Sequence, residues 1–222
     1  MRVILTGATG MVGQGVLREC LLSPDVAMVL VVGRNSVYEL TQEDPKLHEL
    51  LVPDLANLAG HEPTLTGFDA CFFCAGVSSA GMSEEKYTHL TYDLTLSFAR
   101  TLAPLNPQMT FVYVSGVGTD STEKGRSMWA RVKGRTENAL VRLPFKAAYM
   151  FRPGFIQPLH GIRSKTHLYQ FFYDLLTPFM PLLKGRLPKY LTTTEQIGRA
   201  MIHVAKDGYP KTILDPIDIN SL

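Results

Sequence analysis

The chain has 222 residues, 45% of them hydrophobic and 19% charged, which is enough apolar material for one sizeable core and excludes a disordered polymer. Its 22 Lys and Arg against 20 Asp and Glu leave a formal charge of +2 with no basic block, so charge implies no nucleic-acid partner. No apolar run approaches the roughly 18 residues that span a bilayer, and the first residues lack signal-peptide character. Cys20, Cys71 and Cys74 are too few for a disulfide scaffold, and the expectation is a reduced, cytoplasmic protein without a membrane span.

Short apolar runs alternate with longer helical stretches, the pattern of a parallel sheet covered on both faces. Strands are expected over Arg2 to Leu5, Ala27 to Val32, His48 to Val52, Ala70 to Cys74, Thr110 to Ser115, Lys146 to Phe151 and Thr212 to Leu214. Between them, helices are expected over Met11 to Leu22, Ser83 to Ala103, Gly125 to Arg142, His167 to Phe179 and Thr194 to Lys206. The fold class is therefore α/β, a doubly wound (Rossmann) parallel sheet. Residues 1–222 read as a single domain in which 154–222 form a small substrate-side lobe, because Pro158, Pro178, Pro181 and Pro188 punctuate a stretch short of strand signals. The aromatic segment Leu168 to Leu176 reads as a buried helix; its other readings are a dimer face, a lid over an apolar substrate, or a membrane-surface contact. Cys71 and Cys74 have C-x-x-C spacing, but positions three apart on a strand face opposite ways, and no second ligand pair accompanies them. No metal site is expected, and His48, His61, His89, His160, His167 and His203 show no ligand spacing.

Val3-Ile4-Leu5 runs into Thr6-Gly7-Ala8-Thr9-Gly10-Met11-Val12-Gly13, and a helical pattern follows. Strand, glycine loop and helix in that order form the dinucleotide fingerprint. Gly7 allows the tight turn, Gly10 lets backbone approach a pyrophosphate, and Gly13 lets helix and strand pack closely. The helix N-terminus then offers orphan N–H groups and a positive dipole end to the phosphates. Arg34 follows the second strand about twenty residues after Gly13, where an NAD enzyme carries a carboxylate for the ribose hydroxyls. Its guanidinium suits a 2′-phosphate, so NADP (NADPH) is expected as cofactor, with NAD the weaker candidate. A solvated surface arginine is the alternative.

These residues resemble the short-chain dehydrogenase/reductase superfamily in its atypical or extended branch, closest to the NmrA-like and epimerase-like group that includes a tumour-suppressor reductase-like protein. The resemblance covers nearly the whole chain. It implies that Asp54 and Leu55 lie against the adenine and that Cys74-Ala75-Gly76 forms the ribose turn. It also implies that Ser115, in Val112-Tyr113-Val114-Ser115-Gly116, is the catalytic serine, and that Pro153, Gly154, Phe155 and Ile156 flank the nicotinamide.

The family's Tyr-x-x-x-Lys is represented by Trp129-Ala130-Arg131-Val132-Lys133, with lysine present and tyrosine replaced. Residues four apart share a helical face, so Lys133 can hold the cofactor ribose. The indole of Trp129 donates but does not ionise, so it can line a pocket without acting as acid or base. Tyr87, Tyr92, Tyr149, Tyr169 and Tyr173 are other phenols in principle, each better read as a packed aromatic. His160 lies just past the nicotinamide segment and is a candidate substrate contact, although a loop histidine is more often solvated. The expectation is an NADP-dependent oxidoreductase or epimerase-like enzyme for a small carbonyl or related molecule, using Ser115, Lys133 and Trp129. The competing expectation is a catalytically weak, NADP-binding scaffold with a protein partner or homodimer.

Overall fold

The computed structural model describes residues 1–38, 44–162 and 191–222. The first half runs β1 (Arg2–Thr6), α1 (Met11–Leu22), β2 (Met28–Gly33), β3 (Leu47–Leu51), β4 (Ala70–Phe73), α2 (Glu84–Thr88), a π-helical turn (His89–Asp93) and α3 (Leu94–Leu105). The second half runs β5 (Thr110–Val114), α4 (Met128–Val141), β6 (Ala147–Phe151), β7 (Phe155–Gln157), β8 (Leu191–Thr193), α5 (Thr194–Lys206), β9 (Ile213–Leu214) and α6 (Pro216–Asn220).

Seven strands form one sheet in the order β3-β2-β1-β4-β5-β6-β9, and every pairing is parallel. The near-continuous apolar strands follow from burial on both faces. Val3, Leu5, Phe72 and Val112 join Val16, Leu17, Ile197 and Met201 on the face covered by α1 and α5. Ile4, Cys71, Phe73 and Phe111 join Phe98, Leu102 and Leu140 on the face covered by α3 and α4. Cys71 and Cys74 accordingly belong to opposite faces. Burial holds both thiols well above the ordinary cysteine range, which is the chemistry of small packed side chains rather than reactive thiolates.

The doubly wound sheet expected from the sequence is present, with three local corrections. Residues 194–222 were expected in the substrate-side lobe; α5 instead packs on α1, where Arg199 reaches buried Glu19 at 3.1 Å, while the strand expected near Thr212 to Leu214 is present as β9 beside β6. Ile197, Met201 and Val204 share one helical face, and that stripe selects the sheet side. The stretch after Pro153 holds strand structure, with β7 and β8 paired in a separate two-stranded parallel sheet. Three-residue strands are too short for their alternation to be read. Helix α4 begins at Met128 rather than Gly125, and the Gly125 N–H donates to the Asp120 carboxylate at 2.6 Å in the turn before it.

The helix expected from Ser83 does start there: the Ser83 hydroxyl accepts from the Lys86 N–H, and Glu84 and Glu85 occupy the first turn. It continues through the π-helical turn, which carries Tyr92 under the Arg135 guanidinium at 4.2 Å from the ring centre. The helix expected over His167 to Phe179 and the aromatic segment lie outside the described residues.

Candidate functional site

The order of strands reverses between β1 and β4, since the chain steps from β1 outward to β2 and β3, and from β4 the other way to β5 and β6. In open α/β sheets ligands enter the crevice at the carboxyl ends of the strands at such a point. The loop Gly7, Ala8, Thr9, Gly10 lies at this crevice. Gly7 has φ +72°, and a Cβ on it would fall 2.5 Å from the Ala75 nitrogen and the Cys74 carbonyl carbon. A Cβ on Gly13 would fall 2.1 Å from the Gly7 oxygen, so Gly13 is what brings α1 tight against the loop. Gln14 fixes the loop from within, its Nε2 donating to the Thr9 carbonyl at 3.1 Å.

Gly10 is the N-cap of α1, with no side-chain cap and no carboxylate in the first turn. The N–H groups around Met11, Val12 and Gly13 are thus left to an anion. Across the crevice the Ala75 N–H donates to Thr6 Oγ1 at 3.3 Å, tying Cys74-Ala75-Gly76 to the end of β1. A Cβ on Gly76 would meet nothing within 4 Å, so space opens over this turn. Arg34 is exposed past the end of β2 with no ion pair among the described residues. Asp54 is exposed and caps its own turn by accepting from the Ala56 N–H at 2.9 Å, while Leu55 packs on the core. These features fit a bound dinucleotide: an uncapped helix start, an open ribose turn and an unpaired cation at the expected distance along the chain.

The far side of the crevice is built by β5, α4 and the segment after β6. The Ser115 N–H donates to the Phe151 carbonyl at 2.8 Å and the Val117 N–H to the Pro153 carbonyl at 3.0 Å. That pairing brings Pro153, Gly154, Phe155 and Ile156 beside Ser115. Trp129 is half-buried at the start of α4, its ring 3.4 Å from where a Gly118 side chain would begin. One turn on, Lys133 Nζ donates to the Val114 carbonyl at 3.1 Å and to the Tyr113 hydroxyl at 3.4 Å. The Ser115 hydroxyl lies 2.5 Å from Glu137 Oε1 and 3.2 Å from the Phe151 carbonyl oxygen. Buried Glu137 is in turn gripped by the Arg152 fork, Nε to Oε1 at 3.0 Å and the terminal nitrogen to Oε2.

Burial pulls the Lys133 ammonium down from 10.5 to about 8, against the opposing pull of Glu137. Burial also holds the Tyr113 phenol well above its ordinary range, helped by Tyr87 and Glu137. The folded chain thus releases the Lys133 proton near pH 8 while the unfolded chain keeps it to 10.5. Between those values the unfolded state binds more protons, so this group's contribution to stability rises with pH; below about 8 its full burial cost is present. Lys133→Met removes that term. Urea midpoints of the two proteins should therefore differ most in the variant's favour at neutral pH and converge toward 10.5; a pH-independent difference would contradict the assignment.

The structure brings Ser115, Lys133 and Trp129 together around one side of the crevice and places the glycine loop and Cys74 to Gly76 on the other. His160 is engaged elsewhere, its Nε2 3.0 Å from Glu195 Oε2 with a backbone φ of +58°. Two residues escaped the sequence reading. Tyr113 is the phenol beside Lys133, rather than any of the five considered, and Glu137 is the partner of Ser115. The Lys133/Glu137 spacing of one helical turn was a usable signal, whereas Tyr113 looked like ordinary strand core.

No family model matches the sequence. The mitochondrial protein fmp52-1 of Aspergillus oryzae is 28% identical over 155 residues, 68% of this chain and 64% of the relative. Protein HTATIP2 of Rattus norvegicus is 27% identical over 154 residues, 68% of this chain and 61% of the relative. The chain thus matches under two thirds of the length of either. Among solved structures, a short-chain dehydrogenase/reductase from Brucella melitensis superposes with a TM-score of 0.69 at 15% identity, covering 96% of this chain and 92% of that one. The dTDP-glucose 4,6-dehydratase DesIV of Streptomyces venezuelae, solved with NAD and TYD bound, gives 0.70 at 19% identity over 100% of this chain and 79% of that one. The chain has the Rossmann-like α/β fold of these solved dehydrogenase/reductase and dehydratase structures. Its particular relatives include Fmp52 proteins and HTATIP2. The cytoplasmic location expected from the sequence is overturned by these relatives: Fmp52 proteins of several fungi carry mitochondrial names. Among the described residues no helix is long and apolar enough to cross a membrane.

Proposed function

We propose that this chain is an NADP-binding, reductase-like oxidoreductase of the atypical short-chain dehydrogenase/reductase kind, acting on a small molecule. The observation that carries the reading is the uncapped start of α1 beneath Gly7, Gly10 and Gly13 at the switch point of the sheet. Gly7 to Gly13 hold the pyrophosphate through backbone N–H groups, and Arg34 pairs with the 2′-phosphate. Asp54 and Leu55 flank the adenine. Cys74 to Gly76 and Lys133 hold the riboses, and Pro153 to Ile156 back the nicotinamide. The bound cofactor supplies or accepts hydride. Ser115 and Trp129 face the substrate, and the half-buried Lys133, set by its contacts to Tyr113 and Val114, keeps one N–H for a ribose hydroxyl. The names of the fungal relatives support a mitochondrial setting.

Calorimetric titration of cofactor-free protein with NADPH and NADH tests this. NADPH is expected to bind at least about tenfold tighter, the worth of one charge-assisted phosphate contact, and Arg34→Ala should erase the difference. Equal affinities in the unmodified protein would remove the NADP preference, and binding of neither would remove the cofactor.

Trp129 favours a second reading, an NADP-loaded scaffold for a protein partner, because an indole cannot take the proton-transfer role of the family's phenol. On that reading Ser115→Ala and Lys133→Ala keep partner binding; on the first they abolish turnover.

A further inference from the structure

A serine hydroxyl has one hydrogen to give. Among the described residues the two groups within reach of Ser115 are the Glu137 carboxylate at 2.5 Å and the Phe151 carbonyl at 3.2 Å, and both only accept. The Arg152 fork donates to both Glu137 oxygens, at a site where the Glu137 and Arg152 side chains are 2% and 17% exposed, so Glu137 meets Ser115 as an acceptor. Arg152 is itself anchored by donating to Ser121 Oγ at 2.5 Å. The hydrogen of Ser115 therefore points to one of these acceptors whichever it chooses, and only lone pairs remain for any further partner of this half-buried residue.

We propose that Glu137 is a specificity-determining residue: held by Arg152, it fixes Ser115 as a hydrogen-bond acceptor toward the ligand, so the site selects a substrate hydroxyl over the corresponding carbonyl. This rests on the cofactor-binding reading for the position of the ligand, but the sense of the Ser115 hydroxyl does not. An alcohol O–H meets the Ser115 lone pairs and completes a hydrogen bond. A carbonyl oxygen in the same place sets lone pair against lone pair and loses its water without replacement. Trp129 cannot repair this at Ser115, since its single N–H is fixed to a ring that packs over Gly118. The substrate class is a primary or secondary alcohol.

Neutron diffraction from crystals of the full chain exchanged into D2O tests the hydroxyl directly. The Ser115 deuterium is expected along the line to Glu137 or Phe151, and a deuterium directed at the crevice overturns the proposal. Selectivity is read with cyclohexanol and cyclohexanone titrated onto the NADP⁺-loaded protein. The indole N–H NMR signal of Trp129, the chain's sole tryptophan, serves as reporter. The alcohol should bind about tenfold tighter than the ketone, as one satisfied hydrogen bond requires. Ser115→Ala should erase the preference. Glu137→Gln should shrink or reverse it, because the amide can donate to Ser115 and free its hydrogen for the ligand, an effect that loss of packing alone does not produce. Equal binding, tighter ketone binding, or no response to either probe overturns the selectivity. Failure of NADP⁺ itself to bind is seen separately, and it removes the cofactor reading while leaving the neutron result to stand.

Discussion

Arg152→Ala is expected to destabilise the fold by roughly 3–5 kcal/mol, the cost of leaving a buried carboxylate without its partner. The Glu137 side chain is 2% exposed and receives two nitrogens from Arg152. Truncation removes both donors and leaves the Ser115 hydroxyl as the remaining hydrogen bond. For a chain of this size each kcal/mol corresponds to about 2–4 °C, so the melting temperature should fall by about 6–20 °C. The double change Glu137→Leu with Arg152→Leu removes the charge along with its partner and should recover most of that loss, because an apolar pair avoids desolvating two ions. Thermal melts of the three proteins decide it. A loss under about 1 kcal/mol for Arg152→Ala would mean that water reaches Glu137 and that the pair behaves as a surface bridge.

That pair also marks where the sequence stops being informative. The glycine loop was legible because glycines, a strand and a helix start are contiguous, and local steric requirements dictate each of them. The sheet was legible because strands buried on both faces must be apolar throughout. Glu137, Arg152 and Ser115 lie on α4, after β6 and after β5, and only the parallel pairing of β5 with β6 brings them together. Charged residues inside a helical pattern are most simply read as solvated, and the placement of Glu137 one turn after Lys133 is the local hint against that reading. Tyr113 was hidden for the opposite reason. Its ring satisfies the strand pattern and packs 6.1 Å from Phe73, and only the three-dimensional fold shows its hydroxyl meeting Lys133. The end of the chain was misplaced into a lobe because proline punctuation was extended past Pro188, whereas Thr193 begins a capping box with Gln196 and the amphipathic α5.

Two glycines of the loop, alike in sequence, should differ in what alanine costs them. In Gly13→Ala the new methyl would lie 2.1 Å from the Gly7 oxygen and 2.6 Å from its carbonyl carbon. Both obstacles are backbone, so either α1 or the loop must move. Overpacking of this kind costs about 1–3 kcal/mol or more, and the displaced loop should lose NADPH affinity by at least about 100-fold, or 2.7 kcal/mol. In Gly10→Ala the methyl stands 3.3 Å from the Gly7 oxygen, its one close neighbour, at a φ of −88° that alanine adopts without strain. Stability should change by less than about 1 kcal/mol, the scale of an altered N-cap. NADPH affinity should nevertheless drop by at least about tenfold, because the methyl then stands where the pyrophosphate approaches the backbone. Thermal melts and calorimetric titration of both variants separate a glycine required by the fold from one required by the ligand. If Gly10→Ala binds NADPH as tightly as the unmodified chain, the phosphates do not pass over Gly10, and the assignment of the loop as their cradle fails even with the fold intact.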